Sequence, residues 1–127
     1  MPHYLLTCTY SPGSWARLIR VADNRVEAAN ELMESVGGSL VNTYWEVSAR
    51  AVHGICELPD SSAATAVAGV MVHTGAFKSV EVHEVLTQDQ FVGVLQLAEN
   101  VAQTYRVPGQ AVLDDDALED NSSLSRF

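Results

Sequence analysis

The sequence predicts an α+β domain of the ferredoxin-like type, with the order β-α-β-β-α-β followed by a C-terminal helix. Short runs rich in β-branched and aromatic residues alternate with segments in which apolar residues recur at helical spacing. Only Ser48 and Ala49 separate the two middle strands, a link short enough for an antiparallel hairpin. Both helices of this pattern fall on one face of a four-stranded antiparallel sheet.

The chain opens with a strand over residues 3–10, where β-branched and aromatic side chains are frequent. Ser11 follows this strand as a helix N-cap, and a proline stands at the first helical position. Helical periodicity resumes after Asn24, a second N-cap, and ends at the glycine pair 37–38. We therefore expect one long helical region that bends around residues 21–24.

The second half of the chain repeats this plan. Strands are predicted over residues 39–47 and 50–58, followed by a helix that Asp60 caps. That helix is apolar almost all round, which is typical of a helix packed on more than one side. A fourth strand over residues 77–86 precedes a T-x-x-Q capping box at Thr87, which opens the C-terminal helix.

The length of 127 residues corresponds to one ordinary domain. We expect the ferredoxin-like domain to span residues 1–107 and an acidic tail to span residues 108–127, where apolar residues are few. Leu118, Leu124 and Phe127 are the apolar points of that tail and candidate anchors on a partner.

The charge balance argues against several classes of partner. The formal net charge is −9, from 16 acidic and 7 basic residues, so a phosphate backbone or an anionic membrane would be repelled. No segment reaches the length of a membrane span, and the N-terminus has no signal-peptide pattern. We expect a cytoplasmic protein in which Cys8 and Cys56, both inside strand-like runs, are buried and unpaired thiols.

Self-association is expected for two reasons. Charged residues make up only 18% of the chain, which is low for a small domain with much surface to cover. Helices on one face also leave the other face of the sheet bare, and a second copy would cover it in a dimeric α+β barrel. A homodimer or a higher homo-oligomer is therefore expected.

Several separated blocks of the sequence resemble a known family. They are the opening Met-Pro-His-Tyr-Leu-Leu, Tyr10-x-Pro12-x-x-Trp15, Arg25-x-x-Ala28, Leu32-x-x-x-x-Gly37-Gly38, Glu57-Leu58-Pro59-Asp60 and Lys78-Ser79-Val80. Together they resemble the GYD domain family, small bacterial α/β proteins whose biochemical function is largely undefined. The resemblance covers residues 1 to about 90 and implies the same fold. The Gly-Tyr-Asp signature itself is missing, because its Tyr-Asp pair would fall on Arg50 and Ala51.

Two histidines are candidates for a catalytic site. His53 and His83 lie on strands that an antiparallel order can bring to one sheet face, and histidine acts as a base or proton shuttle near neutral pH. The alternative is that each is a structural or surface histidine. No metal site is expected, because the spacing of possible ligands is not diagnostic. No cofactor is expected either, since the sequence holds no phosphate loop and no G-x-G-x-x-G.

Four aromatic residues are candidates for a ligand-binding pocket. Tyr10, Trp15, Tyr44 and Trp45 could line an apolar cleft between the helices and the sheet, where small-molecule sites are common. Aromatic side chains are also ordinary core material, so packing is the alternative role.

Three functions remain open at this point. The first is a self-associating module that binds a small apolar ligand or a protein partner. The second is a cofactor-independent monooxygenase- or isomerase-like enzyme, by analogy of fold, with His53 as the base and Tyr44 and Trp45 holding a small aromatic substrate. The third is an accessory subunit whose acidic tail, residues 110–127, docks on a larger protein.

Overall fold

The computed structural model describes residues 1–109 of the chain. Within that range the elements are β1 (His3–Tyr10), α1 (Pro12–Arg20), α2 (Arg25–Glu34), β2 (Ser39–Glu46), β3 (Ala51–Glu57), α3 (Ser61–His73), β4 (Phe77–Val85) and α4 (Gln88–Ala102). A short 3-10 turn, Val47–Ala49, joins β2 to β3. The chain divides into two compact units, one spanning Met1–Val85 and the other beginning at Leu86.

The strands form one antiparallel sheet in the order β2-β3-β1-β4. β1 lies inside the sheet, so that Leu6 pairs with Gly54 of β3 on one side and with Val82 of β4 on the other. This is the strand order of the ferredoxin-like split β-α-β arrangement. The predicted fold class is therefore confirmed.

Alternation along the strands gives the sheet two different faces. The first, which we call the helix face, carries Tyr4, Leu6 and Cys8 of β1, each 3% exposed. These side chains pack with the buried residues Met33, Cys56, Leu58, Ala64 and Val67 to form the core. The opposite face, which we call the second face, carries Leu5 and Thr7 of β1, their β3 partners Ile55 and His53, and Glu81 and His83 of β4.

The helical region after β1 consists of two helices, and the break between them lies where the sequence predicts a bend. α1 ends at Arg20, and residues 21–24 are not helical. Asn24 then begins α2, because its side chain accepts a hydrogen bond from the Glu27 N–H at 3.1 Å and donates one to the Glu27 carboxylate at 3.2 Å. A side-chain cap of this kind starts a new helix independently of the preceding one.

Two glycines end α2 and lead the chain into β2. Gly37 has a φ of 84°, in the left-handed region that glycine adopts without steric cost. Gly38 has no positive φ, but a Cβ at this position would lie 2.6 Å from Leu58 Cδ2 and closer still to the Glu57 carbonyl oxygen. Glycine is therefore needed at residue 38 for close approach to the end of β3.

α3 packs against the core through one side only. Ala64 and Val67 are 1% exposed, whereas Val72 on the other side of the helix is 45% exposed. The expectation of a helix packed on more than one side is thus wrong for the single chain. Asp60 caps this helix as predicted, with its carboxylate accepting a hydrogen bond from the Ala63 N–H at 2.9 Å.

The C-terminal helix α4 begins at the predicted capping box. The Thr87 hydroxyl accepts from the Gln90 N–H at 3.3 Å, and the Gln90 side chain accepts from the Thr87 N–H at 2.9 Å. The acidic segment 110–127, with its predicted role as a docking tail, lies outside the described residues. The expected domain boundary at residue 107 stays a prediction.

Candidate functional site

A cavity of about 190 Å³ lies inside the first unit, between the helix face of the sheet and the helices α2 and α3. The sheet contributes side chains from all of its strands, including Leu6, Cys8 and Val52. The helices contribute mostly apolar side chains, namely Val26, Ala28, Ala29, Leu32 and Met33 of α2 and Val70 and Met71 of α3. This is a concave apolar site of the type that small molecules occupy in proteins.

Several of the lining side chains bring polar groups to this apolar surface, among them Arg25, Tyr10 and Thr43. Arg25, at the start of α2, forms an ion pair with Asp23 at 2.7 Å and keeps 40% of its side chain exposed. Tyr10 is buried at the end of β1. Thr43 of β2 has a buried Oγ1 without a hydrogen-bond partner among residues 1–109. The cavity is therefore apolar with a few hydrogen-bond donors.

The ionisation of these groups follows from their surroundings. Burial raises the pKa of the Tyr10 phenol, while the charge of Arg25 and hydrogen bonding to its guanidinium partly oppose the rise. A hydrogen bond to Asp23 is the main reason why the pKa of Arg25 is raised. At neutral pH Tyr10 is thus a neutral hydroxyl group and Arg25 is a cation.

An aromatic cluster lies around Tyr10. Its ring centroid is 4.5 Å from that of Phe77, 5.9 Å from that of Trp15 and 6.0 Å from that of Trp45, whose plane is tilted by only 12° from the Tyr10 plane. Tyr10, Trp45 and Phe77 line the cavity, and Trp15 lines a neighbouring hollow that also borders Trp45 and Arg25.

Of the four aromatic residues that the sequence predicts for a pocket, the structure brings Tyr10, Trp15 and Trp45 together. Tyr44 is not with them, because it alternates with Trp45 along β2 and lies opposite His53 on the second face. Its side chain is exposed there, and its hydroxyl accepts a hydrogen bond from the Asn42 amide at 2.9 Å.

Two thiols also line the cavity. Cys8 and Cys56 are buried and unpaired, as predicted. Burial raises the pKa of Cys8 to about 12 and that of Cys56 to about 11. Because the thiolate is the reactive form of cysteine, these protonated thiols are poor nucleophiles near neutral pH.

The two candidate histidines lie on the second face, across the sheet from the cavity. His53 stands opposite Thr7 of β1, and its Nδ1 is 3.1 Å from Thr7 Oγ1 while its Nε2 is 2.8 Å from Glu46 Oε1. His83 is exposed and stands opposite Leu5, so β1 separates the two imidazoles. Neither histidine therefore lines the cavity.

Arg25 and Thr43 were not anticipated from the sequence. Thr43 and Trp45 are two residues apart on β2, and side chains two apart on a strand project from the same face. Thr43 therefore lies on the helix face together with Trp45. Arg25 directly follows the N-cap Asn24 and is therefore fixed to the first turn of α2. The alternation along β2 and the position after the N-cap are both visible in the sequence, but neither pattern by itself indicates a cavity.

Neither a metal-binding cluster nor a membrane-spanning helix occurs among the described residues. Within residues 1–109, no three His, Cys, Asp or Glu side chains are grouped so that they could hold a metal ion. Over the same range, each helix is too short or too polar to cross a membrane.

The position of the missing Gly-Tyr-Asp signature is an irregular corner of the sheet. Arg50 follows the 3-10 turn with a φ of 53°, and Ala51 begins β3 with 2% exposure. The Arg50 carbonyl accepts a hydrogen bond from the Tyr10 N–H at 2.9 Å. Neither residue is among those that line the cavity.

A known domain family matches most of this chain. A search of curated proteins finds none that matches this chain. The family model of the GYD domain matches residues 4–95. That range includes β2, β3, β4 and the helices α1 to α3 in full, together with the cavity. The chain therefore belongs to the GYD domain family.

Proposed function

We propose that this protein is a self-associating binding module that holds a small apolar ligand in the cavity between the sheet and helices α2 and α3. The cavity itself carries the proposal, with its volume of about 190 Å³ and its largely apolar lining. An apolar cavity of about 150 Å³ in a protein core stays dry and binds benzene. The present cavity is large enough for one six-membered ring with a few further atoms.

Filling the cavity tests this proposal. Ala29 lines the cavity from α2, so Ala29→Leu places a larger side chain in the space that a ligand would need. Ala66 on α3 is exposed and does not line the cavity, which makes Ala66→Leu a matched control. Ligand-observed NMR with toluene and indole should show binding to the wild type and to Ala66→Leu, and loss of binding to Ala29→Leu. Equal binding to both variants, or none to the wild type at millimolar ligand, would contradict the proposal.

The self-association in this proposal rests on exposed apolar surface. Phe91, Val94 and Leu95 form part of one stripe of α4 and are 47%, 47% and 52% exposed. On the sheet, Leu5 and Ile55 lie on the second face, away from the core, and are half-buried. Exposed apolar surface of this kind favours association, and a second copy of the chain is the proposed partner.

Light scattering tests the assembly. The wild type should be a dimer or larger at micromolar concentration, and Leu95→Glu should shift it toward the monomer because a charge is costly in an apolar contact. Gln96→Glu introduces a carboxylate at the neighbouring exposed position and should leave the mass of the assembly in solution unchanged. A wild-type protein that is purely monomeric would refute this part of the proposal.

A catalytic role on the second face is a second candidate function, and the contacts of His53 favour it. A carboxylate on one ring nitrogen and a hydroxyl on the other orient the imidazole, as in sites where histidine moves protons. Tyr44 lies beside it on that face and would contact an aromatic substrate. Oxygen uptake and isomerisation assays with small phenols should then show turnover that His53→Asn abolishes and that a surface variant, His73→Asn, retains. Turnover that survives His53→Asn would refute this role.

A further inference from the structure

We infer that the ligand of the cavity is a small aromatic or branched aliphatic carboxylate, whose apolar part fills the cavity and whose carboxylate meets Arg25. This inference rests on the proposed binding function and adds the chemical class of the ligand. The cavity combines an apolar lining with one cationic side chain, and a carboxylate is the ligand class that matches both.

Arg25 has the position and the free donors for this role. It lines the cavity and also borders two neighbouring hollows at the surface, so its guanidinium lies where the cavity meets solvent. One of its nitrogens bonds to Asp23 at 2.7 Å, but a guanidinium carries five N–H donors in a planar fork. Since the side chain is 40% exposed, it can pair with a carboxylate without being transferred fully out of water.

Two further lining residues, Tyr10 and Thr43, carry hydroxyl groups that can donate hydrogen bonds. Burial keeps Tyr10 protonated at neutral pH, so its phenol can donate. Thr43 Oγ1 is buried and lacks a partner among the described residues, and a buried hydroxyl without a hydrogen bond is destabilising. A carboxylate accepts up to four hydrogen bonds, so it can pair with several donors at once.

Other ligand classes match the cavity less well. An amine would meet the positive charge of Arg25 at the mouth, and the nearby carboxylate of Asp23 is already paired with that guanidinium. A hydrocarbon would make no use of the Arg25 guanidinium at the mouth of the cavity. The net charge of −9 repels anions at long range, but salt screens that repulsion beyond about 8–10 Å. A carboxylate bound to Arg25 would be much closer to the guanidinium than this screening length. The attraction between them therefore outweighs the long-range repulsion.

A matched set of three probes tests the inference. Fluorophenylacetate, fluorophenylacetamide and fluorobenzylamine share a ring and differ in charge, and fluorine NMR measures the affinity of each. The wild type should bind the acid about tenfold or more tightly than the amide, as expected for a charged hydrogen bond. Arg25→Gln should reduce this ratio to about one, because the acid loses more affinity than the amide when the cation is removed. Arg20→Gln removes an exposed arginine that does not line the cavity and should keep the wild-type ratio.

The outcomes separate the inference from the function on which it rests. If acid and amide bind the wild type equally, or if Arg25→Gln keeps the preference for the acid, the inference is wrong and the binding function stands. Tightest binding of the amine would overturn it in the same way. If none of the three probes binds the wild type although toluene does, the inference is wrong and the binding function stands; if toluene does not bind either, the binding function itself is refuted. Binding of toluene to Arg25→Gln verifies that the cavity of this variant is intact.

Discussion

Gly38 tests how closely the link between α2 and β2 approaches the end of β3. A Cβ at this position would lie 2.6 Å from Leu58 Cδ2 and nearer still to the Glu57 carbonyl oxygen, whereas real Cβ contacts essentially never fall below 3.0 Å. The Leu58 side chain is fully buried, and Glu57 is held in the sheet opposite Ser39 and His3. Neither neighbour can move aside without disturbing the core. We therefore expect Gly38→Ala to lower the free energy of unfolding by about 1–3 kcal/mol, the usual range for overpacking.

Gly69 provides the matched control. It lies in the middle of α3, is exposed, and a Cβ there would meet nothing within 4 Å. Alanine is the better helix former, so Gly69→Ala should raise the free energy of unfolding by about 0.5–1 kcal/mol. The same chemical change is thus expected to have opposite signs at the two positions.

Urea unfolding followed by tryptophan fluorescence measures both variants. All samples need the same protein concentration, because self-association would couple stability to concentration. The predicted steric clash at residue 38 is refuted if the free energy of unfolding of Gly38→Ala is within about 0.5 kcal/mol of the wild-type value, which is the range of an ordinary surface substitution. It is also refuted if Gly69→Ala destabilises the protein as much as Gly38→Ala does.

Burial and helix capping support three smaller tests. Leu58 is 0% exposed, so Leu58→Ala should lose about 2–5 kcal/mol in urea unfolding; a loss no larger than that of the exposed Ile19→Ala would count against this packing. Asp60→Ala should cost about 1 kcal/mol in the same assay and Asp60→Asn much less, because asparagine caps equally well; equal losses would argue against the cap. Burial raises the pKa of Cys8 to about 12 and of Cys56 to about 11 from the ordinary value of 9.0, so the thiols of the unfolded chain ionise first as the pH rises. The free energy of unfolding should therefore fall between about pH 9 and pH 11, and less steeply in a variant with both cysteines replaced by alanine; an identical slope in that variant would exclude the thiols as the cause.

Local features of the fold were predictable from the sequence. Ser11, Asp60 and Thr87 each cap a helix at the expected position, because a cap depends only on residues about three apart in the chain. The break between α1 and α2 lies where the sequence predicts a bend, and Asn24 is the predicted cap. Helical periodicity on both sides of a break does not reveal the change in direction, which depends on how α2 packs against the sheet.

The candidate site was predictable only in part, since it depends on non-local packing. Aromatic character alone indicated Tyr10, Trp15 and Trp45 as possible pocket walls, but it also indicated Tyr44, which alternation along β2 directs to the second face. The cavity itself depends on how α2 and α3 cover the sheet, and local patterns do not contain that information. The contact between His53 and Thr7 likewise requires the register of β1 with β3, two strands that are 46 residues apart at this point.

The place of β1 in the sheet has a consequence for the timing of folding. β1 is synthesised before the other strands of this sheet, yet His3 pairs with Glu57 on one side and with Val85 on the other. At about 5–20 residues per second, the roughly 75 residues between Tyr10 and Val85 take on the order of 4–15 s to be added by the ribosome. During that interval β1 lacks one of its neighbours, and a chain interrupted before β4 never acquires it. Completion of the sheet must therefore await the last strand, and long-range pairing of this kind is intrinsically slow.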